Sequence, residues 1–376
     1  MLFNKIKYNK VIVCSSLLIV FIFIGCNDLE INSNGKKWEY SFPGDIKNIN
    51  LSNSGKYIFV STEEDNKNNI YILDNKSKII MNKKVDIGSI DGMVCDNCKI
   101  VAYRDIYNGV VNITDFSDRN ISRFVSDGNG IMGFWQNCKY LYNYMDIDYV
   151  FLRIYEVSTG KKVFDLFEYK EEISTSTCGI KFVNNESILI YDTTGLLYVL
   201  NYKDNVAKLK CKFKTYDYYA FIDRIGFVSD KILVSISKED LSGEILCLGQ
   251  NGEMLWKKSM PYYCEIYSLN EDFFISLFDT NDKKNIYYVI AMDSNGNDIW
   301  KYNGSSEERV KVKLSKSNTL LEIENKNNNK RELLCFNRDG KITFRKDIGK
   351  DVKYYLSLDG NVLIIANVKK LEYFEL

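Results

Sequence analysis

The sequence predicts an all-β fold, a β-propeller of four-stranded blades, on three observations. A strand, a tight Asn-Gly or Asp-Gly turn and a second strand occur three times in succession near the C-terminus, and the second strands carry Trp256, Trp300 and Phe344. These aromatic residues are about 44 residues apart, which is the length of one propeller blade. The chain also has 27 Tyr and 21 Phe but only 2 Pro, a composition that favours strands over helices.

The number of blades follows from a turn signal that precedes one strongly apolar strand in each unit. Eight such turns run from Gly55 to Gly360, again at intervals of about 44 residues. The apolar strands hardly alternate with polar residues, which indicates that both of their faces are covered. We therefore expect eight blades, or seven if the weakly matching unit near residues 115–123 is not a full blade. The turns are at 54–55, 96–97, 136–137, 184–185, 229–230, 271–272, 317–318 and 359–360.

The two ends of the chain predict how the ring closes. The last unit offers three strands, 354–358, 361–366 and 371–376, and then the sequence stops. Residues 34–42, which include Trp38, copy the strand that would complete it. The N-terminal strand is therefore expected to close the last blade and to leave no open edge, in a propeller domain that spans residues 36–376.

The first 35 residues predict where in the cell the protein is located. Lys5, Lys7 and Lys10 precede an apolar run over residues 11–25, as in a secretory leader, and that run is shorter than the ~20 residues of a spanning helix. Gly25-Cys26 resembles the processing site of bacterial lipoproteins. This resemblance implies a signal peptide over residues 1–25, lipidation of Cys26, a tether over residues 26–35 and a membrane-anchored domain on the extracytoplasmic side. An uncleaved signal anchor is the alternative.

Within the repeat, an aromatic residue marks the outer strand at five places, and we expect these side chains to dock each blade on the next. They are Trp38, Phe164, Trp256, Trp300 and Phe344. This pattern resembles the quinoprotein-like (PQQ-like) eight-bladed propellers, a family of cofactor-dependent dehydrogenases and of non-enzymatic envelope lipoproteins that serve as assembly scaffolds. The dehydrogenases hold their quinone against a disulfide between adjacent cysteines. This chain has no Cys-Cys dipeptide, so the resemblance implies the scaffold branch, with no cofactor.

Composition excludes several other classes of function. The chain has no His, which excludes Ser-His-Asp and Cys-His catalysis. Its 50 basic and 50 acidic residues balance, so no nucleic-acid partner is expected. The segment 293–298 resembles part of a calcium loop but lacks the later bidentate Glu, and no metal is predicted. A propeller enzyme, dehydrogenase-like or polysaccharide-lyase-like, remains the alternative, with Arg104, Asp105 and Arg224 as its only candidate residues.

Cys95 and Cys98 flank a predicted two-residue turn. A disulfide between them is sterically allowed, because residues paired across antiparallel strands have Cα atoms about 5.5 Å apart. The main alternative is two core cysteines, since Cys138 occupies the position of Cys98 in the next unit and has no such neighbour. A redox pair or half of a zinc site is disfavoured, because a redox CxxC needs a helix N-terminus and zinc needs a second ligand pair, which the sequence lacks at that spacing.

The connections between the second and third strands predict a binding face. They are long and variable, whereas the other turns are short, and such variation on one face is typical of a binding surface in repeat proteins. They cover residues 62–69, 237–243, 279–285 and 325–330. The sequence thus predicts a non-catalytic scaffold with a protein partner on this face. Tolerated insertions without a role are the alternative.

Overall fold

The computed structural model describes residues 35–376 apart from short internal gaps. The predicted leader, Cys26 and most of the tether lie outside the described residues. The gaps are at residues 87, 127–129, 146–150, 170–176, 183–186, 193–195, 204–205, 215–219, 239, 241, 270 and 280–286.

Within the described ranges, 32 strands form eight antiparallel four-stranded sheets, the blades of a β-propeller. Blade 1 consists of β2 (Asp45–Leu51), β3 (Tyr57–Glu64), β4 (Lys67–Asp74) and β5 (Ile79–Val85). Blade 2 consists of β6 (Ile90–Cys95), β7 (Ile100–Asp105), β8 (Val110–Asp115) and β9 (Asn120–Val125). Blade 3 consists of β10 (Ile131–Trp135), β11 (Tyr140–Met145), β12 (Phe151–Glu156) and β13 (Lys162–Asp165). Blade 4 consists of β14 (Thr177–Phe182), β15 (Ser187–Asp192), β16 (Leu196–Lys203) and β17 (Val206–Lys214).

Blade 5 consists of β18 (Ala220–Val228), β19 (Lys231–Lys238), β20 (Gly243–Leu248) and β21 (Met254–Met260). Blade 6 consists of β22 (Cys264–Ser268), β23 (Phe273–Asp279), β24 (Tyr287–Asp293) and β25 (Asp298–Asn303). Blade 7 consists of β26 (Glu308–Leu314), β27 (Asn318–Asn325), β28 (Arg331–Asn337) and β29 (Ile342–Ile348). Blade 8 consists of β30 (Lys353–Leu356), β31 (Val362–Ala366) and β32 (Lys370–Glu375), together with β1 (Lys36–Ser41). The prediction of eight blades is confirmed, because the weakly matching second unit forms a complete sheet. One 3-10 turn, Leu166–Tyr169, is the helical segment of the described ranges, and none there is long and apolar enough to cross a bilayer.

The N-terminal strand closes the ring, as predicted. Strand β1 pairs antiparallel with β32 and becomes the outermost strand of blade 8. The Trp38 indole stacks on the Tyr373 ring at a centroid distance of 4.9 Å, and the Phe42 amide donates to the Lys369 carbonyl at 2.8 Å. The last blade therefore consists of strands from both ends of the chain.

The second strand of each blade is apolar on both sides because two neighbouring blades cover it. In β3, Ile58 and Val60 pack in a core cluster with Ile364 of blade 8. Phe59, which points the other way, packs with Val94 of blade 2. Successive side chains of a strand point to opposite faces, so a strand between two blades needs apolar residues at every position.

The antiparallel order of the strands gives the propeller two faces. The turn face carries the turns between first and second and between third and fourth strands, and the loop face carries the second-to-third loops and the connections between blades. Both ends of the described chain lie on the turn face. The Glu375 amide donates to the Gly35 carbonyl at 3.2 Å, and the Leu376 amide donates to the Asn361 carbonyl at 2.9 Å.

The prediction of a long loop over residues 62–69 is wrong. Residues 62–69 are not a loop, because β3 and β4 stay paired as far as Glu64 and Lys67. The turn consists of Asp65 and Asn66, both with positive φ, a conformation that Asp and Asn tolerate in two-residue hairpins. The segment 325–330 contains a second-to-third loop of five residues, 326–330, on the loop face. The first turns 52–56 and 357–361 also have five residues, so the predicted difference in length is wrong there. Parts of 237–243 and most of 279–285 fall outside the described residues.

Candidate functional site

The turn face is held together by hydrogen bonds between the first turns of neighbouring blades. These contacts use backbone groups and one carboxylate, and they connect blades 1 and 2, 5 and 6, 7 and 8, and 8 and 1. They are Ser54 N to Asp96 Oδ2 (2.9 Å), Ser229 N to the Glu271 carbonyl (2.9 Å), Lys316 N to the Leu358 carbonyl (2.8 Å) and Asp359 N to the Asn53 carbonyl (3.1 Å). Backbone polar groups of the turns are thereby satisfied by neighbouring blades.

A cavity of about 590 Å³ opens on the turn face. Turns from blades 1, 2, 3, 7 and 8 surround it, and Met93, Met132 and Trp135 supply apolar lining. Asp96 also lines the cavity, and its Oδ1 atom is buried without a hydrogen-bond partner. The Lys316 ammonium beside the cavity is paired with Glu271 at 3.2 Å. The cavity thus combines an apolar wall with one carboxylate oxygen that no protein group satisfies.

The cysteines at this cavity correct a prediction: Cys95 forms a disulfide with Cys138 of blade 3, not with Cys98. The turn after β6 has four residues rather than two, so Cys95 faces Ile100 across the hairpin. Cys98 lies within the turn as an exposed free thiol and donates to the Asn137 carbonyl at 3.5 Å. The Sγ atoms of the three cysteines all lie within 4.8 Å of one another.

The outer-strand tryptophans contact the next blade around the ring. Trp38 Nε1 donates to the Asn75 carbonyl of blade 1 at 2.9 Å, and Trp256 Nε1 donates to the Ser294 carbonyl of blade 6 at 3.0 Å. Trp300 stacks on Phe336 of blade 7 at 5.0 Å.

Two phenylalanines occupy the equivalent position and make edge-on contacts. Phe164 meets Tyr202 of blade 4 at 6.1 Å, and Phe344 meets Phe374 of blade 8 at 5.3 Å. The five aromatic residues singled out in the sequence therefore all lie at junctions between blades.

Cross-strand partners of these aromatic residues are small. Cys247 faces Trp256, Ala291 faces Trp300 and Cys335 faces Phe344. Burial raises the pKa of the Cys247 thiol to about 11 and that of Cys335 to about 12. Thiols with such pKa values stay protonated at neutral pH and are poor nucleophiles, so these two cysteines are packing residues.

Arg104, the first candidate residue of the enzyme alternative, instead forms a buried set of ion-pair and hydrogen-bond contacts, which we call a clamp. Its side chain is 2% exposed, donates to both Asp91 oxygens at 2.7 and 3.2 Å, and donates to the Gly130 carbonyl of the blade 2–3 connection at 2.7 Å. It also reaches Asn143 Oδ1 in blade 3 at 3.3 Å. Burial raises the pKa of Asp91 even though Arg104 opposes that shift. The guanidinium joins blades 2 and 3 near the loop face.

The other two candidates do not converge with Arg104. Asp105 is buried and accepts the Tyr107 amide at 3.0 Å, which shapes the loop that follows β7. Arg224 lies in blade 5 and approaches Glu265 of blade 6 at 3.9 Å. The structure therefore does not assemble the polar cluster that the enzyme alternative needs from these residues.

A second buried clamp lies near the loop face between blades 7 and 8. Glu322 accepts from Arg331 at 2.7 Å and from the Tyr354 hydroxyl at 2.7 Å. Arg331 also donates to the Val352 carbonyl in the connection between these blades. Burial acts to raise the pKa of Glu322, but the hydrogen bonds from Arg331 and Tyr354 outweigh it and hold the pKa below its usual value.

The segment 293–298 forms a hairpin turn that uses its own carboxylates. Asp293 accepts the amides of Asn295 and Asn297 at 2.8 and 2.9 Å. Asp298 pairs with Lys258 and Lys301. These bonds explain the acidic residues of this turn without an ion.

Four exposed apolar side chains lie on the loop face of blades 2 and 3, which sequence patterns alone did not reveal. Tyr107 is 81% exposed in the loop after β7, and Phe167 is 63% exposed directly after β13. Val125 and Ile131, also exposed, end β9 and begin β10. We call these four residues the loop-face patch. Exposed apolar residues on one face of a protein are candidates for an interaction site.

Comparisons with known proteins show the fold. No family model matches the chain, and no curated protein sequence matches it. Among solved structures, the C-terminal WD40 domain of Sif2 is similar, with a TM-score of 0.60 and 9% identity over 91% of this chain and 99% of that one. The Dos1 propeller has a TM-score of 0.59 and 12% identity over 92% and 96%.

BamB from Moraxella catarrhalis also matches, with a TM-score of 0.46 and 10% identity over 88% of this chain and 83% of that one. Likeness at these identities shows a β-propeller and nothing finer. The quinoprotein-like family therefore stays a prediction from the sequence.

Proposed function

We propose that this protein is a non-catalytic scaffold, anchored by lipid at Cys26 on the extracytoplasmic side of the cell membrane, that binds a protein partner through the loop-face patch. The observation that carries the proposal is the patch itself. Tyr107 and Phe167 expose most of their surface at the same end of adjacent blades. Aromatic anchors of this kind supply much of the binding energy in protein interfaces.

The position of Gly35, the first described residue, supports a scaffold whose turn face lies nearer the membrane than its loop face. Gly35 lies on the turn face, hydrogen-bonded to Glu375, and eight residues, 27–34, lie between it and Cys26. Such a tether spans at most about 30 Å when fully extended. A lipid on Cys26 would keep the turn face nearer the membrane and would leave the loop-face patch open to a partner.

The bonding of the candidate polar residues supports a role without catalysis. Arg104 and Asp105 are buried and bonded within the fold, and the chain has no His to act as a general base. Neutral charge balance likewise offers no electrostatic basis for binding nucleic acid.

The test is crosslinking on intact cells, followed by identification of the captured protein, for the wild type and two double variants. Tyr107→Ser with Phe167→Ser removes the centre of the patch. Leu255→Ser with Ile299→Ser removes two exposed apolar side chains from outer strands of blades 5 and 6 and is the matched control. We expect the patch variant to lose its partner at least tenfold and the control to keep it. Equal capture by both variants would exclude the patch as the binding site.

The anchor is tested separately with Cys26→Ser. Metabolic labelling with a fatty-acid analogue should mark the wild type and not the variant, and the variant should leave the membrane fraction. A variant that stays in the membrane fraction would indicate the uncleaved signal anchor instead.

A further inference from the structure

We infer that Cys95, Cys98 and Cys138 form a thiolate site for a thiophilic d10 cation, Zn²⁺ or Cu⁺, when the disulfide between Cys95 and Cys138 is reduced. Their three Sγ atoms lie within 4.8 Å of one another. Zinc–sulfur bonds of about 2.3 Å in a tetrahedral site hold sulfurs roughly 3.8 Å apart. The Cys98 sulfur needs to approach the others by about 1 Å or less. The Cys95 and Cys138 sulfurs must separate by about 2 Å once their bond is reduced.

The backbone brings these sulfurs together from two blades. Cys95 ends β6, Cys98 is the third residue of the turn that follows, and Cys138 is the third residue of the corresponding turn in blade 3. Gln136, Asn137 and Cys138 all have positive φ, a costly conformation for residues other than Gly. Three successive strained residues place the Cys138 thiol against blade 2.

The ligand set selects the kind of ion. Thiolates are soft ligands that favour Zn²⁺ and Cu⁺ over Mg²⁺ or Ca²⁺. Within the described residues no fourth Cys or carboxylate joins the group, so one position on a tetrahedral ion stays open. Cys95 and Cys138 line the turn-face cavity, and water from that cavity can occupy this position. The unpartnered Oδ1 atom of Asp96, in the same cavity wall, is an acceptor available to such a water.

The reaction that opens the site is a thiol–disulfide exchange. A small dithiol supplies two electrons and two protons, becomes a disulfide itself, and leaves Cys95 and Cys138 as thiols. Binding of the cation then displaces the three thiol protons, because only thiolates ligate. The ion replaces one link between blades 2 and 3 by another, so the turn face stays joined in both states.

The test uses the full chain, reduced without oxygen, freed of reductant and titrated with Zn²⁺ in one arm and Cu⁺ in the other against a chromophoric competitor. We expect the reduced wild type to bind one ion at least tenfold more tightly than Cys98→Ser, and the oxidised wild type to show no such tight site. Cys98→Ser is informative because it keeps the disulfide and the fold of the starting protein. Cys335→Ser, which alters a cysteine in blade 7, should bind as the wild type does.

Cobalt provides a second readout. Reduced wild type loaded with Co²⁺ should show thiolate-to-metal charge-transfer absorption that weakens in Cys98→Ser and in Cys138→Ser. Equal affinity of the reduced wild type and Cys98→Ser for both ions, or the lack of a thiolate band, would overturn the inference. Tight binding of Cu⁺ alone or Zn²⁺ alone would identify which ion the site takes.

Discussion

The two faces of this propeller are held together in different ways. On the turn face, adjacent turns bond directly to each other through backbone groups, and blades 2 and 3 share a disulfide. Near the loop face, buried arginine–carboxylate clamps at Arg104 and Arg331 join the blades, while Tyr107 and Phe167 remain exposed. Several turn-face amides bond to neighbouring turns, whereas two loop-face arginines are buried in ion pairs and the nearby Tyr107 and Phe167 are exposed. This difference supports the proposal that a partner binds on the loop face.

Removal of the closing strand is the severest test of this comparison, because it asks whether the turn-face bonds can hold the ring alone. Deletion of residues 35–42 removes the Trp38–Tyr373 stack and exposes the edge of β32. The deletion also removes Phe42, which is buried. Loss of one large buried aromatic side chain costs about 3–5 kcal/mol, so we expect the free energy of unfolding to fall by more than that. Thermal unfolding followed by circular dichroism measures the change.

A synthetic peptide of residues 35–42 is the control for that deletion. It should restore part of the lost stability, and the same peptide with Trp38→Ala should not. Melting of the truncated protein at the wild-type temperature would show that the ring does not depend on β1.

The next prediction compares one arginine from each face. Arg104→Ala leaves Asp91 and Asn143 without their buried partner, and removal of one member of a buried ion pair costs about 3–5 kcal/mol. Arg338→Ala breaks pairs with Glu271 and Asp272 on the turn face, where exposed ion pairs are worth about 1 kcal/mol or less. Urea unfolding of both variants measures the two costs. Similar values would remove the distinction between a clamped face and a hydrogen-bonded one.

The covalent link on the turn face has an intermediate effect. Cys138→Ser opens the disulfide to Cys95, and loss of a native disulfide typically costs about 2–4 kcal/mol. Urea unfolding under oxidising conditions should show this loss. In the presence of a reductant and a chelator the wild type and the variant should differ much less, and an undiminished difference there would mean that Cys138 contributes by packing alone.

The smallest expected effect is a pH dependence at the blade 7–8 clamp. Because the pKa of Glu322 is held below its usual value of 4.5 in the folded protein, ionised Glu322 stabilises the fold above that pH. This contribution falls as the pH drops through the lower folded pKa. Glu322→Gln should therefore unfold about 1–2 kcal/mol more readily at pH 7, and the difference should shrink towards pH 3. A difference that does not change with pH would contradict the assignment.

The sequence predicted the ring because its signals are local and repeated. Tight turns and outer-strand aromatic residues return about every 44 residues, and Trp38 at the N-terminus completes the series. Residues 62–69 misled because polar residues indicate a loop, whereas Glu63 and Asn68 are paired within a hairpin.

The candidate site could be predicted less well, because it depends on contacts between blades. The partner of Cys95 is 43 residues away, and only the four-residue turn after β6 decides that Cys98 is not its partner. Arg104 meets Asn143 across 39 residues. Exposure of Tyr107 and Phe167 depends on how the loops fold, and their sequence neighbours do not distinguish them from core residues.

The central claim is that the partner docks on the loop-face patch, and site-specific photocrosslinking tests it most directly. A photoreactive phenylalanine analogue replaces Tyr107, Phe167, Ile299 or Asn53 in turn in the full-length protein on intact cells. Our account predicts one covalent adduct, with the same partner, from positions 107 and 167 and none from position 299 on an outer strand or position 53 on the turn face. Adducts from position 53 with none from 107 and 167 would place the partner on the turn face and contradict the account.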